Sequence, residues 1–340
     1  MSPGEIFMAK HAGFASNEIF YIGNNVSAEE MQYAINEGVL VSADSLSQLE
    51  QYGQLNPGGE VAVRFNPGVG AGHHEKGVTA GKKTKFGIEP KYIPQVKELL
   101  KKYDLKLVGI NQHIGSLFMS KEAFVQSIGA LFDIARQFEG LRFVDMGGGF
   151  GIPYHKEEDE QPLNIKELGE AMDAELYRCA KEYGTDLKFR IEPGRYVSAE
   201  CGMILSEVHS VKMNHETKFV GCDCGFNVLQ RPIMYDSYHG VEIYRASDVA
   251  SKKTEPVTIV GNICESGDIL AKDRELPEIF KGDILGVLDA GAYGFSMASA
   301  YNNRLRPAEI LIRENGEVVL IREREELNDL LKHLIPLSKV

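Results

Sequence analysis

Four short runs in this chain carry residues able to do chemistry. Asp145-Met146-Gly147-Gly148-Gly149-Phe150-Gly151 sets three successive glycines after an apolar stretch. Glycines let backbone N–H groups approach an anion closely; the same run serves a tight strand-to-helix turn equally well. Ile191-Glu192-Pro193-Gly194-Arg195 places a carboxylate three residues from a guanidinium. On a surface that is an ordinary ion pair. At the rim of a barrel, Glu192 can hold a ring nitrogen protonated and Arg195 can clamp a phosphate or carboxylate with two parallel hydrogen bonds. His113-Ile114-Gly115-Ser116 offers an imidazole, more often structural when alone, and a hydroxyl suited to a phosphate. Cys264-Glu265-Ser266-Gly267-Asp268 puts a thiol beside two acids, which suits the usual buried apolar cysteine poorly.

These runs need elements to position them. Glu18–Gly23, Val39–Ala43, Val61–Asn66, Leu107–His113, Arg142–Met146 and Lys188–Glu192 read as six apolar strands. Amphipathic stretches lie between most of them, including Ser120–Glu139 and Ile165–Tyr183, and Ser27-Ala28-Glu29-Glu30 is a capping box. Strand–helix alternation of this kind predicts a mainly parallel sheet. A (β/α)8 barrel needs eight strands. Here Ser2, Pro3, Glu5 and Gly13 mark a capped helix at the very start, with no strand before it. The expected fold is therefore α/β: a TIM-type barrel lacking its first two strands, over residues 1–205. On that count the glycine run follows barrel strand 7, where phosphates are commonly bound.

From residue 206 to 340 the pattern becomes a C-terminal antiparallel β domain. Its strands are expected at Leu205–Lys212, Lys218–Cys222, Val241–Arg245, Val257–Val260 and Asp283–Leu288. A hairpin of Glu309–Arg313 and Glu317–Arg322 turns at Asn315-Gly316, a type I′ signal, and a helix is expected from Glu323 to about His333.

The net charge of −12 argues against non-specific nucleic-acid binding, and no run of 18 apolar residues offers a membrane span. Met1–Glu5 lacks the basic and apolar regions of a signal peptide, so a cytoplasmic protein is expected. Five irregularly spaced cysteines suggest no disulfide framework, and Cys222 with Cys224 forms C-x-C without a second pair, so no metal site is expected.

Taken in order, HIGS, GGGFG, EPGR, CESGD and GAYGFSMASAYN resemble the alanine-racemase-like barrel class of pyridoxal-phosphate decarboxylases, along the whole chain. Arg231-Pro232-Ile233-Met234-Tyr235-Asp236-Ser237-Tyr238-His239 is similar to a run of the diaminopimelate decarboxylases. The resemblance implies pyridoxal 5′-phosphate as cofactor and decarboxylation of meso-2,6-diaminopimelate to L-lysine, the last step of lysine biosynthesis. It implies that His113 stacks on the cofactor ring and that Glu192 pairs with its nitrogen. Ser116, Gly147, Gly148, Gly149, Gly194 and Arg195 would surround the phosphate, and Tyr293 would touch cofactor and substrate. Arg195, Arg231 and Tyr235 would hold the distal carboxylate of the substrate and Glu265 its distal ammonium. Cys264 would be the general acid, serving with Glu265 the site of a second subunit, so a homodimer is implied. An arginine with a carboxylate fits a zwitterionic substrate end; ornithine, which ends in an amine alone, needs no such arginine.

The chain departs from the family pattern in two places. No strand carries the family's cofactor-anchoring lysine: Lys10 mimics it but belongs to the capped helix, while Lys76, Lys82, Lys83 and Lys85 lie in a Gly70–Gly87 loop. Asn111 stands where relatives often carry histidine. A piece of a longer enzyme is the expected explanation for the lysine, with weak or absent catalysis by this chain alone. The alternatives are a related decarboxylase of another amino acid or polyamine precursor, and a lysine-less paralogue that binds amino acids.

Overall fold

The structure is a computed structural model that describes residues 1–68, 80–81, 84–184, 187–245 and 253–335. Lys76, Lys82 and Lys83 lie outside the described residues. The chain divides into two units, one of Met1–Ile152 with Pro162–Tyr196, the other of Pro153–Gln161 with Val197–Val340.

The first unit holds six strands: β1 (Phe20–Tyr21), β2 (Leu40–Ala43), β3 (Glu60–Arg64), β4 (Lys106–Asn111), β5 (Phe143–Gly148) and β6 (Lys188–Glu192). They pair in chain order and every pair is parallel. This is (β/α) barrel architecture with six strands, and among the described residues β1 and β6 are its edges. β5 is buried along its whole length, as expected of an inner strand covered on both faces, whereas β6 is largely open to solvent. Helix α1 (Pro3–His11) precedes β1, and α2 (Ala28–Asn36), α3 (Leu46–Leu55), α4 (Ile93–Lys102), α5 (Glu122–Ala135) and α6 (Ile165–Tyr183) connect the strands. Local chemistry starts several of them. Ser2 Oγ accepts the Glu5 N–H at the head of α1, and Ser27 and Glu30 close a reciprocal capping box on α2. Phe124, Ile128, Leu131 and Phe132 on one face of α5 are fully buried against the sheet.

The second unit contains a six-stranded sheet of β7 (Ile204–Asn214), β8 (Thr217–Cys222), β9 (Val241–Tyr244), β10 (Thr254–Val260), β11 (Ile269–Pro277) and β12 (Ile284–Val287), in the order β11-β10-β8-β7-β12-β9. Its pairs are antiparallel, as expected, except β10 with β8, which run parallel. β13 (Glu309–Ile312) and β14 (Val318–Arg322) form the expected hairpin.

Three details of this unit correct the sequence reading. β11 was not anticipated, because its centre, Lys272-Asp273-Arg274-Glu275, is charged, as suits the sheet edge that it forms. The hairpin turn is not type I′. Gly316 has φ 82° but Asn315 is not left-handed, and Gly316 N–H donates to Arg313 C=O, so a type I turn is followed by a glycine bulge. The helix expected over 323–333 shrinks to a 3-10 turn at Leu327–Leu331. Arg306 explains why: its backbone N–H and guanidinium donate to the Glu325 carboxylate, its C=O accepts the Glu325 N–H, and together they hold that stretch extended.

Candidate active site

At the C-terminal ends of β3 to β6 an open cavity of about 780 Å3 is lined by Arg64, Asn111, His113, Asp145, Glu192 and apolar side chains of β1 and β2. No lysine is among its described lining residues.

The glycine run brings three strand ends together. Gly148 pairs with Glu192 across β5 and β6, and a Cβ on it would lie 1.9 Å from the Glu192 carbonyl oxygen. A Cβ on Gly147 would meet Gln112 C=O at 2.3 Å, and one on Gly149 would meet Gly115 C=O at 2.2 Å. Close packing therefore requires these glycines whatever they bind. The same packing delivers Gly148 N–H to His113 Nδ1 at 3.1 Å. Burial, with help from the Arg64 guanidinium, pushes His113 down to about 4, so its ring is neutral near pH 7.

Glu192 faces Asp145. Burial, and then the Asp145 charge, push the Glu192 carboxyl up to about 8, against the pull of Arg64. Burial also raises Asp145, although it accepts the Gly147 N–H at 2.9 Å. Both carboxyls are thus raised, with burial the first cause for each. Glu192 Oε1 is left buried with no hydrogen-bond partner among the described residues. An orphaned acceptor of this kind costs stability unless something donates to it, and a protonated ring nitrogen is such a donor. On the other side of the loop, Arg195 Nη2 donates to Ser116 Oγ at 3.1 Å, bringing a cation and a hydroxyl together, and Gly194 next to them has open space where a Cβ would stand. The residues present thus fit a phosphorylated pyridine.

Sequence reasoning missed Arg64 and Asp44. Both are buried, 3.6 Å apart, with the Arg64 guanidinium 4.6 Å from the Phe86 ring centre. A charge ending an otherwise apolar strand was the available signal. Asn111 is buried and accepts the Ser42 hydroxyl at 2.6 Å. Lys10 lies on α1 in an ion pair with Glu37, and Lys85 stands 5.1 Å from the Phe86 ring.

In the second unit, Arg231 opens a short helix, Arg231–Tyr235, and is buried. Its Nη1 lies 2.8 Å from His239 Nε2 and its guanidinium 4.5 Å from the Tyr154 ring centre. His239 Nδ1 lies 2.8 Å from Leu288 C=O, so the Nδ1–H tautomer donates there and accepts from Arg231. Tyr235 is half-buried, while Cys264, Glu265 and Tyr293 are exposed, Tyr293 with a left-handed φ of 59°. His239 lies inside a run legible in the sequence, but its hold on Arg231, and that of Tyr154, was not.

The model of the pyridoxal-dependent decarboxylase family's pyridoxal binding domain matches residues 1–199. The diaminopimelate decarboxylase of Methanothermobacter thermautotrophicus is 43% identical over 339 residues, 98% of this chain and 78% of that protein. This chain belongs to the diaminopimelate decarboxylase family. Among solved family structures, diaminopimelate decarboxylase from Methanocaldococcus jannaschii in co-complex with L-lysine matches with a TM-score of 0.88 at 33% identity, covering 100% of this chain and 80% of that one. The Helicobacter pylori diaminopimelate decarboxylase complexed with L-lysine matches with a TM-score of 0.88 at 31% identity, covering 98% and 82%. Against these family members the chain spans about four fifths of their length.

Proposed function

We propose that this chain binds pyridoxal 5′-phosphate and decarboxylates meso-2,6-diaminopimelate to L-lysine. The observation that carries the reading is the buried Glu192 Oε1, without a hydrogen-bond partner among the described residues, in the cavity that the neutral His113 ring also lines and near which Ser116 and Arg195 meet. When bound, pyridoxal phosphate supplies an electron sink for the pair left as the bond to CO2 breaks.

The remaining chemistry falls to the protein's side chains. Glu192 holds the ring nitrogen's proton and His113 packs on the ring. Ser116, the Gly147–Gly149 run, Gly194 and Arg195 bind the phosphate. Arg231, with Tyr235 and Arg195, takes the distal carboxylate, Glu265 the distal ammonium, and Tyr293 touches both cofactor and substrate. Cys264 returns a proton to the carbon that lost CO2, acting with Glu265 in the site of a second subunit of a homodimer. Five free cysteines suit a reducing compartment, and the proposed location is the cytoplasm. The relatives solved with L-lysine support the product, and the presence of both an arginine, Arg231, and a carboxylate, Glu265, suits a zwitterionic substrate end. With no lysine in the described cavity lining, turnover by this chain on its own is proposed to be slow.

Titration of the chain with pyridoxal phosphate, followed by absorbance, tests the site. Saturation near one per chain is expected, with Arg195→Ala weakening it about tenfold or more, the value of a lost charge-assisted hydrogen bond. Binding unaffected by Arg195→Ala and Glu192→Gln would remove the proposed site.

A further inference from the structure

In the second unit two consecutive residues hold two others. Asn302 Oδ1 accepts the Cys264 N–H at 3.0 Å, and Asn302 Nδ2 donates to Cys264 Sγ at 3.3 Å. One residue earlier, the Tyr301 hydroxyl donates to Glu265 Oε1 at 2.7 Å. Asn302 achieves this with a left-handed φ of 54°, a conformation asparagine accepts more readily than most residues. The loop backbone is fixed separately. Asp268, buried at the end of the same run, takes the Ile263 and Phe226 N–H groups on its two carboxylate oxygens, each at 2.7 Å. Gly261 makes room for it, since a Cβ there would lie 2.4 Å from Asp268 Oδ2. Asp268 thus sets where the loop runs, and the side chains of Cys264 and Glu265 are set by Tyr301 and Asn302.

We propose that Asn302 is the positioning residue of the Cys264 thiol and Tyr301 that of the Glu265 carboxylate. A group that gives up a proton and regains it must be held as an anion in between. An amide N–H aimed at sulfur favours that anion without competing for the proton, because an amide does not titrate. Asn302 also ties the sulfur to its own backbone N–H through one rigid planar group, which limits the side chain to a single orientation. The meaning of this arrangement for the reaction rests on the proposed role of Cys264 as acid; the contacts themselves do not.

The test is the rate at which iodoacetamide alkylates Cys264 in the full chain, read by peptide mass mapping. Cys201 is exposed and serves as internal reference, while the buried Cys179, Cys222 and Cys224 report any loss of fold. Asn302→Asp keeps an acceptor for the Cys264 N–H but replaces the donor to sulfur with an anion. It is expected to slow Cys264 alkylation about tenfold, with Cys201 unchanged. Asn302→Ala, which loses both bonds without adding charge, falls between Asn302→Asp and wild type. A merely structural role would leave the rate unchanged or raise it in both variants, and a Cys264 rate within about twofold of wild type in Asn302→Asp overturns the proposal. Should Asn302→Asp expose the buried cysteines, Asn302→Ala decides alone: slower labelling supports the proposal, and equal or faster labelling sinks it. Alkylation needs no turnover, so the acid role is judged apart. If Cys264→Ser leaves diaminopimelate decarboxylation intact, that role fails while the relation of Asn302 to Cys264 stands.

Discussion

The Gly148 N–H donates to His113 Nδ1 at 3.1 Å, which fixes the imidazole as the tautomer with its proton on Nε2. Burial holds this ring at about 4, below its ordinary 6.5. A depressed histidine contributes stability that is fully present above 6.5 and is lost as the pH falls through about 4. Nitrogen-15 spectra of the ring are therefore expected to show one unchanged neutral tautomer from pH 8 to about pH 5. A ring that titrates near 6.5 would contradict the buried setting.

The raised Glu192 carboxyl predicts the opposite pH dependence. The Glu192 carboxyl is raised from 4.5 to about 8, so its stabilising contribution is complete below 4.5 and is lost as the pH rises through about 8. Glu192→Gln cannot ionise. Its melting temperature should match wild type near pH 5 and exceed it above pH 8, by an amount equivalent to about 1 kcal/mol or more. The gain in stability should come with loss of pyridoxal phosphate binding. Parallel melting curves at all pH values would show that Glu192 is not buried as the structure has it.

Gly148→Ala forces a methyl group to within 1.9 Å of the Glu192 carbonyl oxygen, an approach that real Cβ atoms do not make. Strand β5 or β6 must shift, and a loss of about 2–4 kcal/mol is expected in urea unfolding. Gly169 on α6 has nothing within 4 Å of an added Cβ, so Gly169→Ala should be neutral or stabilise by up to about 1 kcal/mol. Similar losses in both variants would mean that the glycine run is not packed as described.

The features of this site differ in how visible they are in the sequence. β2 to β5 were legible because strands buried on both faces read as continuous apolar runs, and α2 because Ser27 and Glu30 announce its first turn. The glycine run, Glu192 and Arg195 were legible as chemistry because glycine and paired charges at strand ends are unusual. What escaped was pairing over long sequence distance. Asp145 was visible as a residue but not as the partner of Glu192, 47 positions on, and Arg231 was visible without Tyr154, which precedes it by 77. The charged run 323–326 has helical composition, yet Arg306 pins it as extended chain, a tertiary contact that outweighs a weak local preference.

Arg231 offers a test of that hidden support. His239 accepts its Nη1 at 2.8 Å with both residues buried. His239→Ala removes the acceptor and leaves a cavity beside a buried cation, costing about 1–3 kcal/mol. His239→Gln, which can still present an acceptor, should recover part of this. Equal losses for Ala and Gln would assign the effect to packing alone.

The most direct measurement of the proposed activity is release of labelled CO2 from carboxyl-labelled meso-2,6-diaminopimelate by this chain with pyridoxal phosphate present. Slow release above that given by pyridoxal phosphate alone is expected, with L-lysine as product and no release from ornithine. Release from ornithine without release from diaminopimelate, or none above the protein-free control, would contradict the proposed activity.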